Sequence, residues 1–314
     1  MSFLSDGKRC PVAELSIGAI EQPFLITEAE IAETRNGKPY LRCTLADATG
    51  EVRANRWDTS VAPTPGIYLV SGLVEEYQGQ LQVKLTGDLV PMDDDLSEYL
   101  KCSSFSPIQL RQRLRRHLDD LDGEIGQVVR AIFDDSDVEE AFFCAPAATK
   151  NHHAFRGGLA EHTISMANIA NDVARHYHNF YGYDSVDRNL LIAGVLLHDL
   201  GKVYELQEEG FSWSRGTRGE LVGHMVEVCA LIHDACMACL ASQDTRDRLM
   251  HMVLSHHGRN EWGSPVEPRL VEAMLLHQID MMDSRFNMFR TATEGLEPGE
   301  MSERVWTLGG RVVR

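Results

Sequence analysis

Several features that mark membrane, secreted or disulfide-stabilised proteins are missing from these 314 residues. No apolar run approaches the roughly 18 residues that a transmembrane helix needs. The N-terminal residues do not form a basic segment followed by an apolar one, as a signal peptide would. From these absences we expect a cytoplasmic protein with no membrane partner.

Cysteine and positive charge are also in short supply. The seven cysteines are scattered, and an odd number in a long chain argues against a disulfide framework. Cys236 and Cys239 form one C-x-x-C pair, which we interpret as two positions of a core helix, with redox or zinc chemistry as the alternative. With 30 basic and 47 acidic residues the net charge is −17, so nucleic acid must be held by a local basic patch or by metals.

The first part of the chain reads as short strands separated by turns. Residues 24–26 open one strand, residues 36–38 contain an Asn-Gly hairpin turn, and residues 39–45 alternate with period two. A second turn lies at residues 47–50. Roughly five short antiparallel strands over residues 10–92 predict a small closed barrel, and the OB-fold is the commonest five-stranded form.

This barrel offers aromatic and basic side chains that could stack bases and follow phosphates. Trp57 and Arg56 are the candidates for substrate contact, and the neighbouring strands add Tyr40, Tyr77, Arg42, Arg53 and Lys84. However, residues 1–100 hold eight basic and sixteen acidic residues. Packing or subunit assembly is therefore an equally weighted alternative to nucleic-acid binding by the barrel.

Residues 93–123 form an acidic linker followed by a basic helix. The helix begins at Ser106-Pro107, where Gln109 completes a capping box. Its arginines are Arg111, Arg113, Arg115 and Arg116. They form either a solvated face balanced by the aspartates of residues 119–122 or a surface that follows phosphates.

From residue 124 onward the apolar residues repeat with a period of about 3.6. Residues 124–292 therefore predict an all-α domain of six or more helices, followed by a C-terminal tail over residues 293–314. The predicted fold class is α+β multidomain, with a small N-terminal barrel and a helical bundle.

Histidine is concentrated in this helical region, which holds all of the 13 histidines except His117 between positions 152 and 277. The central stretch is Leu196-Leu197-His198-Asp199-Leu200-Gly201-Lys202. Adjacent helical residues diverge by roughly 100°, so His198 and Asp199 can serve one ion cluster only at a helix end. Gly201 is expected to end that helix, and Lys202 places a cation beside the metals.

Other histidines and acids lie in apolar helical sequence, where an unpaired carboxylate would be costly. They are His162, His224, His256, His257 and Asp280. Metal coordination would remove that cost.

The pattern of His162, His198-Asp199 and Asp280 resembles the H…HD…D signature of HD-domain metal-dependent phosphohydrolases. The chain also has an N-terminal OB-like barrel, a Gly157-Gly158 pair before His162, and a Ser-His-His-Gly motif at residues 255–258. In this combination it is similar to the YhaM-type 3′→5′ exoribonuclease family over nearly its whole length.

The resemblance implies a dinuclear metal site. Mn²⁺ is the favoured ion, and imidazole with carboxylate ligands also suits Fe²⁺ or Zn²⁺. The implied ligands of the first ion are His162, His198, Asp199 and Asp280. Asp199 would bridge to a second ion held by His224 and His256, with His257 as a further candidate. His277 and Asp283, three residues on either side of Asp280, are expected to support the ligands rather than bind metal.

The same resemblance assigns catalytic and substrate-binding roles. Asp199 and Lys202 are the implied catalytic residues, with Lys202 neutralising phosphate charge in the transition state. His152, His153 and Arg156, just before the first ligand, are candidates for substrate phosphate contact, or simply a helix-entry loop with satisfied imidazoles.

The implied activity is removal of nucleotides from the 3′ end of single-stranded RNA, with single-stranded DNA as a second substrate, by a homo-oligomer. One alternative is a phosphohydrolase of nucleotides or cyclic dinucleotides, which has no need of a barrel. The other is a non-catalytic single-strand binding protein, which the intact ligand set disfavours.

Overall fold

The computed structural model describes residues 9–34, 36–57, 59–149 and 152–314. Two compact units are present. One comprises the chain up to Cys102 together with Glu208–Ser212, and the other comprises Ser103–Gln207 and Trp213–Arg314. In the described residues no helix has the length and apolar character that crossing a bilayer requires.

The first unit is a five-stranded barrel with one short additional strand. Its strands are β1 (Gly18–Glu33), β2 (Pro39–Asp47), β3 (Gly50–Trp57), β4 (Gly66–Tyr77), β5 (Gln80–Leu85) and β6 (Val90–Pro91). The strand order is β1-β2-β3-β5-β4, and β4 pairs back onto β1 to close the barrel. This is the Greek-key order of an OB-fold and confirms the predicted fold class.

Two details of the barrel differ from the sequence prediction. The strand expected to open at residue 24 begins at Gly18, because Gly18–Ile26 pairs in continuous register with β4. The strands are also not all antiparallel, since β3 and β5 pair in parallel. The turns predicted at residues 36–38 and 47–50 connect β1 to β2 and β2 to β3.

Alternate residues of the strands fill the barrel interior. Along β2, for example, Leu41, Cys43 and Leu45 are buried while Arg42 is exposed. This is the period of two that a half-buried strand requires. Other interior residues are Phe24, Ile26, Val52, Val70, Val74 and Val83.

The second unit is built mainly from helices. They are α1 (Pro107–Asp119), α2 (Gly123–Phe133), α3 (Ser136–Cys144), α4 (Gly158–Tyr181), α5 (Arg188–Leu197), α6 (Lys202–Glu205), α7 (Thr217–Leu221), α8 (His224–Cys239), α9 (Gln243–Ser255) and α10 (Val271–Ala292). The capping box predicted at Ser106 is present. A small hairpin of β7 (Leu206–Glu209) and β8 (Ser212–Arg215), absent from the all-α prediction, follows α6.

Helix α5 is the centre of the helical unit. Every residue from Leu190 to Leu197 is buried, and the helix packs against α2, α4, α9 and α10. A helix that is apolar on all sides must be covered on all sides. Its C-terminal end therefore carries the next residues, His198 and Asp199, into the interior of the unit.

Candidate metal centre

His198 and His256 occupy equivalent places at the ends of two helices. His198 caps α5 and its Nδ1 donates to the carbonyl oxygen of Val195 at 2.8 Å. His256 caps α9 and its Nδ1 donates to that of Val253 at 2.6 Å. These carbonyls are among those that a helix end leaves unpaired. In a neutral imidazole, a proton on Nδ1 leaves a lone pair on Nε2.

The other two buried histidines of the centre are oriented by carboxylates. Nδ1 of His162, on α4, lies 2.8 Å from Oδ2 of Asp283. Nδ1 of His224, the first residue of α8, lies 2.6 Å from Oε2 of Glu205. A carboxylate can only accept here, so these contacts place a proton on Nδ1 and direct Nε2 into the centre, where a metal would take the place of a second proton.

Asp199 lies among the four histidines. Its Oδ1 is 3.6 Å from Nε2 of both His224 and His256, and its Oδ2 is 3.3 Å from Nε2 of His198. Lys202 Nζ donates to Oδ2 at 2.6 Å. Burial alone would raise the pKa of Asp199, but the charge of Lys202 holds it well below its ordinary value, so Asp199 is a carboxylate.

Unpartnered polar atoms test whether this arrangement fits a metal. In the described residues several buried atoms have no hydrogen-bond partner: Nε2 of His162, His198, His224 and His256, Nδ1 of His257, and Oδ1 of Asp199. A buried polar atom without a partner costs on the order of 1–3 kcal/mol. A cluster of this many unpartnered atoms fits a binding site for cations, which would accept their lone pairs.

In the described residues the potential ligand atoms form three groups, each with its atoms within 4.8 Å of one another. The first is His162, His198 and Asp280, and the second is His224, His256 and His257. The third, His153, His162 and Asp283, includes the contact that orients His162 through Nδ1. Asp199 has one oxygen near His198 and the other near His224 and His256. Imidazole and carboxylate donors in this number suit divalent transition metals.

The pKa values in the centre follow its charges. Burial opposes a charge on His162, but Asp280 and Asp283 outweigh it and raise the pKa of His162 to about 9. At His256 burial outweighs the charge of Asp199 and holds the pKa well below the ordinary value. The acids of α10 therefore concentrate negative charge at the first group, where a cation would be stabilised.

The three residues predicted to contact phosphate lie in the loop before α4 and differ in burial. His152 is half-buried, its ring centroid lies 5.5 Å from that of His162, and burial lowers its pKa to about 3. Arg156 is exposed, with Nη2 3.5 Å from Cys144 Sγ. His153 is buried, with Nε2 3.2 Å from Asp283 Oδ2. That position supports Asp283 and favours the alternative of a helix-entry loop, and phosphate contact by His153 stays a prediction.

Two glycines allow close approaches around the centre. A Cβ at Gly158 would lie 2.0 Å from the carbonyl oxygen of His153, so the loop packs directly on the start of α4. A Cβ at Gly201 would lie 2.1 Å from the carbonyl oxygen of His224. Helix α5 already ends at Leu197, and Gly201, with a φ of −63°, precedes α6 and does not terminate α5. Gly201 is required because the chain of His224 passes against it.

Lys202 has two partners in the described residues. Besides Asp199, its Nζ donates to the carbonyl oxygen of Ala147 at 2.5 Å. An ammonium has three donors, so one remains for a further acceptor. The structure thus gives Lys202 a role in holding Asp199, and its contact with substrate stays a prediction.

Glu205 is the residue that the sequence analysis missed. It is buried, and its pKa, which burial would raise, is lowered to about 2 by its hydrogen bonds with His224 and by the charge of Arg215. No spacing rule connects it with His224, which lies 19 residues later. Only the folded chain brings the two together.

The barrel carries an open groove of about 1410 Å³. Its lining includes Tyr40, Arg42, Arg53, Asn55, Tyr77 and Gln82. Trp57 is exposed, and its ring stacks on Tyr40 with centroids 4.7 Å apart. Arg56 pairs across the sheet with the buried Leu41 and donates to Asp88 at 2.7 Å. Because adjacent strand residues point to opposite faces, Arg56 cannot share the face of Trp57.

Two arginines of the basic helix α1 have partners within their own unit. Arg111 forms ion pairs with Glu139 and Glu140, and Arg113 stacks on Phe105 with its Cζ 4.2 Å from the ring centroid. These contacts favour the interpretation as a solvated face, although the partners of Arg111 are acids of α3 instead of those at residues 119–122.

Comparisons with known proteins agree with this geometry. A family model described as HD domain matches residues 159–285, which include all the candidate ligands. Fold and site therefore define an HD-domain hydrolase of the kind that depends on divalent metals. A solved OB-fold domain, the second of replication protein A from Methanococcus maripaludis, aligns with 27% of this chain and 95% of its own at 22% identity and a TM-score of 0.21.

Curated relatives cover most of the chain. One is 3′-5′ exoribonuclease YhaM of Geobacillus sp. (strain WCH70), 36% identical over 88% of this chain and 85% of its own. Another is 3′-5′ exoribonuclease YhaM of Bacillus subtilis (strain 168), 35% identical over 93% of both chains. The chain belongs to the YhaM family of 3′-5′ exoribonucleases, as its motifs predicted.

Proposed function

We propose that this protein is a metal-dependent 3′-5′ exoribonuclease that hydrolyses single-stranded RNA at a dinuclear centre. The observation that carries the proposal is the set of unpartnered ligand atoms around Asp199 in a chain of the YhaM family. Hydrolysis of a phosphodiester needs charge stabilisation at phosphorus, and this set of donors suits ions that provide it.

We assign two of the ligand groups to two ions. His162, His198 and Asp280 would hold the first, and His224 and His256 would hold the second, with His257 as a further ligand. Asp199 would serve both ions, because its two oxygens face different histidines. Such a pair, when bound, supplies Lewis acidity and a nucleophile near neutral pH for in-line displacement at phosphorus. Mn²⁺ is our choice of ion, with Fe²⁺ and Zn²⁺ as chemically suitable substitutes.

The protein's own groups have separate tasks. Lys202 orients Asp199 and can direct its third donor to a phosphate oxygen. His152, held neutral by its depressed pKa, can donate or accept one hydrogen bond at the edge of the centre. The buried side of the site excludes water from around His162, His198 and His256, which strengthens their electrostatic interactions.

The barrel supports a substrate that is a strand rather than a free nucleotide. Its groove combines the aromatic side chains of Tyr40 and Tyr77 with the guanidinium groups of Arg42 and Arg53. Aromatic rings stack with any base and arginines follow the backbone, which is how OB-folds bind single strands. A small-nucleotide hydrolase would have no use for this groove.

Degradation of an end-labelled strand tests the proposal. Protein loaded with Mn²⁺ is incubated with 5′-labelled single-stranded RNA, and we expect a ladder that shortens from the 3′ end. The same RNA labelled at its 3′ end should release a labelled mononucleotide first, and chelated protein should leave both strands intact. A DNA strand of the same sequence measures sugar preference. Intact RNA together with hydrolysis of nucleotides or cyclic dinucleotides would contradict the proposal.

A further inference from the structure

Helix α6 is a single turn, yet it contacts two of the proposed ligands. Its first residue, Lys202, holds Asp199, and its last residue, Glu205, contacts His224. Residues three apart lie on the same side of a helix, so both side chains reach the centre from one turn. Lys202 lies three residues after Asp199 and belongs to the same short motif, whereas nothing in the sequence marks Glu205.

The contact between Glu205 and His224 is made twice through the same oxygen. Oε2 of Glu205 accepts from the main-chain nitrogen of His224 at 2.8 Å and lies 2.6 Å from its Nδ1. His224 is the first residue of α8, and the residue before it, Gly223, has no side chain to cap the helix. Glu205 therefore acts as the cap of α8 and fixes the imidazole in the same interaction.

The carboxylate is itself held in place. Oε1 of Glu205 accepts from Nη2 of Arg215 at 2.7 Å and from its Nε at 3.1 Å. The Glu205 side chain is only 5% exposed, whereas that of Arg215 is 50% exposed. Glu205 thus connects an arginine at the surface to Nδ1 of a buried histidine whose Nε2 has no partner in the described chain.

We infer that Glu205 is a positioning residue that sets the affinity of the second metal position by orienting His224. The inference rests on the proposed dinuclear site and deepens it. A carboxylate behind a ligand histidine fixes the ring and increases the basicity of the coordinating nitrogen. Loss of such a partner lowers metal affinity by about 10- to 100-fold. His162, backed by Asp283, is oriented independently, so the first position should not change.

Helix α8, which begins with His224, offers a matched control. Glu227 on α8 is also buried and forms an ion pair with an exposed arginine, Arg218, whose Nη2 donates at 2.6 Å. It makes no hydrogen bond with a proposed ligand in the described part of the chain. Glu227→Gln therefore removes a comparable buried charge without altering the orientation of His224.

The test is calorimetric titration of the metal-free full chain with Mn²⁺, without RNA. The parent should bind two equivalents. Glu205→Gln should bind one of them about 10- to 100-fold more weakly and the other unchanged, and Glu227→Gln should match the parent. Circular dichroism of each metal-free variant checks that it is folded.

Several results would overturn the inference. They are unchanged binding by Glu205→Gln, equal weakening of both equivalents in the folded variant, and a parent that binds a single ion. If Glu205→Gln does not fold, Arg215→Gln decides, because it loosens the carboxylate from the surface: weaker binding of one equivalent supports the inference and parental binding overturns it. A parent that binds two ions but leaves RNA intact would contradict the proposed exoribonuclease activity alone.

Discussion

Polar groups of the barrel and of the helical unit differ in exposure and in hydrogen-bond pairing. In the barrel, two arginines of the strands are accessible and already paired, Arg42 with Glu30 and Arg56 with Asp88. In the helical unit, imidazole nitrogens and one carboxylate oxygen are buried without a partner. Exposed ion pairs can exchange partners at little cost in free energy, whereas buried polar atoms without a partner need a specific ligand. The barrel surface therefore suits strands of variable sequence, whereas the buried site of the helical unit suits one reaction.

From this comparison we expect the largest loss of activity on substitution of Asp199. Asp199→Asn should abolish turnover, because it removes a carboxylate that faces His198 with one oxygen and His224 and His256 with the other. Single-turnover cleavage of RNA together with metal content measures the loss. Asp172→Asn, at an exposed position of α4, is the control and should retain parental activity. Equal activity of Asp199→Asn and the parent at saturating Mn²⁺ would reject the assignment.

A smaller effect is expected at Lys202. If its third donor meets the phosphate, Lys202→Ala should lower kcat by on the order of 10²-fold with bound metal unchanged, since charge on the phosphate grows in the transition state. Lys202→Arg should recover only part of the loss, because a planar guanidinium replaces a compact ammonium poorly. Single-turnover rates and elemental analysis are measured in parallel. Metal lost along with activity would show that Lys202 acts only by holding Asp199.

The smallest effects should arise in the barrel and should concern binding. Trp57→Ala should raise KM for a long RNA about tenfold with kcat unchanged, because stacking of one base contributes about 1–3 kcal/mol. Arg56→Gln should change KM about twofold or less, since Arg56 lies on the other face of the strand in an exposed ion pair. Steady-state kinetics on long and dinucleotide substrates separate the two parameters. A fall in kcat for Trp57→Ala on a dinucleotide would show that the barrel also contributes to catalysis. It would contradict the assignment of binding to the barrel and catalysis to the helical unit.

Local sequence predicted the parts of the molecule whose causes are local. The apolar run of Leu190–Leu197 identified a buried helix, and the adjacent His198 and Asp199 could serve metals only at its end. The hairpin turn of residues 36–38 and the capping box at Ser106 also follow from a few neighbouring residues.

Features that depend on distant partners were not predictable in the same way. The parallel pairing of β3 with β5 arises from barrel closure, and Glu205 acquires its role only when α8 packs beside α6. The hairpin after α6 was missed because strands of four residues are too short to show a period. The separation of Trp57 from Arg56 could have been found, because alternation along β3 already assigns neighbours to opposite faces.

The matching ends of α5 and α9 have a thermodynamic consequence. His198 and His256 each use Nδ1 to complete a helix terminus and leave Nε2 unsatisfied, so folding alone leaves two buried imidazole nitrogens without a partner. Ions that bind only the folded chain shift the unfolding equilibrium by mass action. Each bound ion adds about 1.4 kcal/mol of stability for every tenfold rise in free metal above its dissociation constant. The resistance of the helical unit to unfolding thus becomes a measure of the metal available to it.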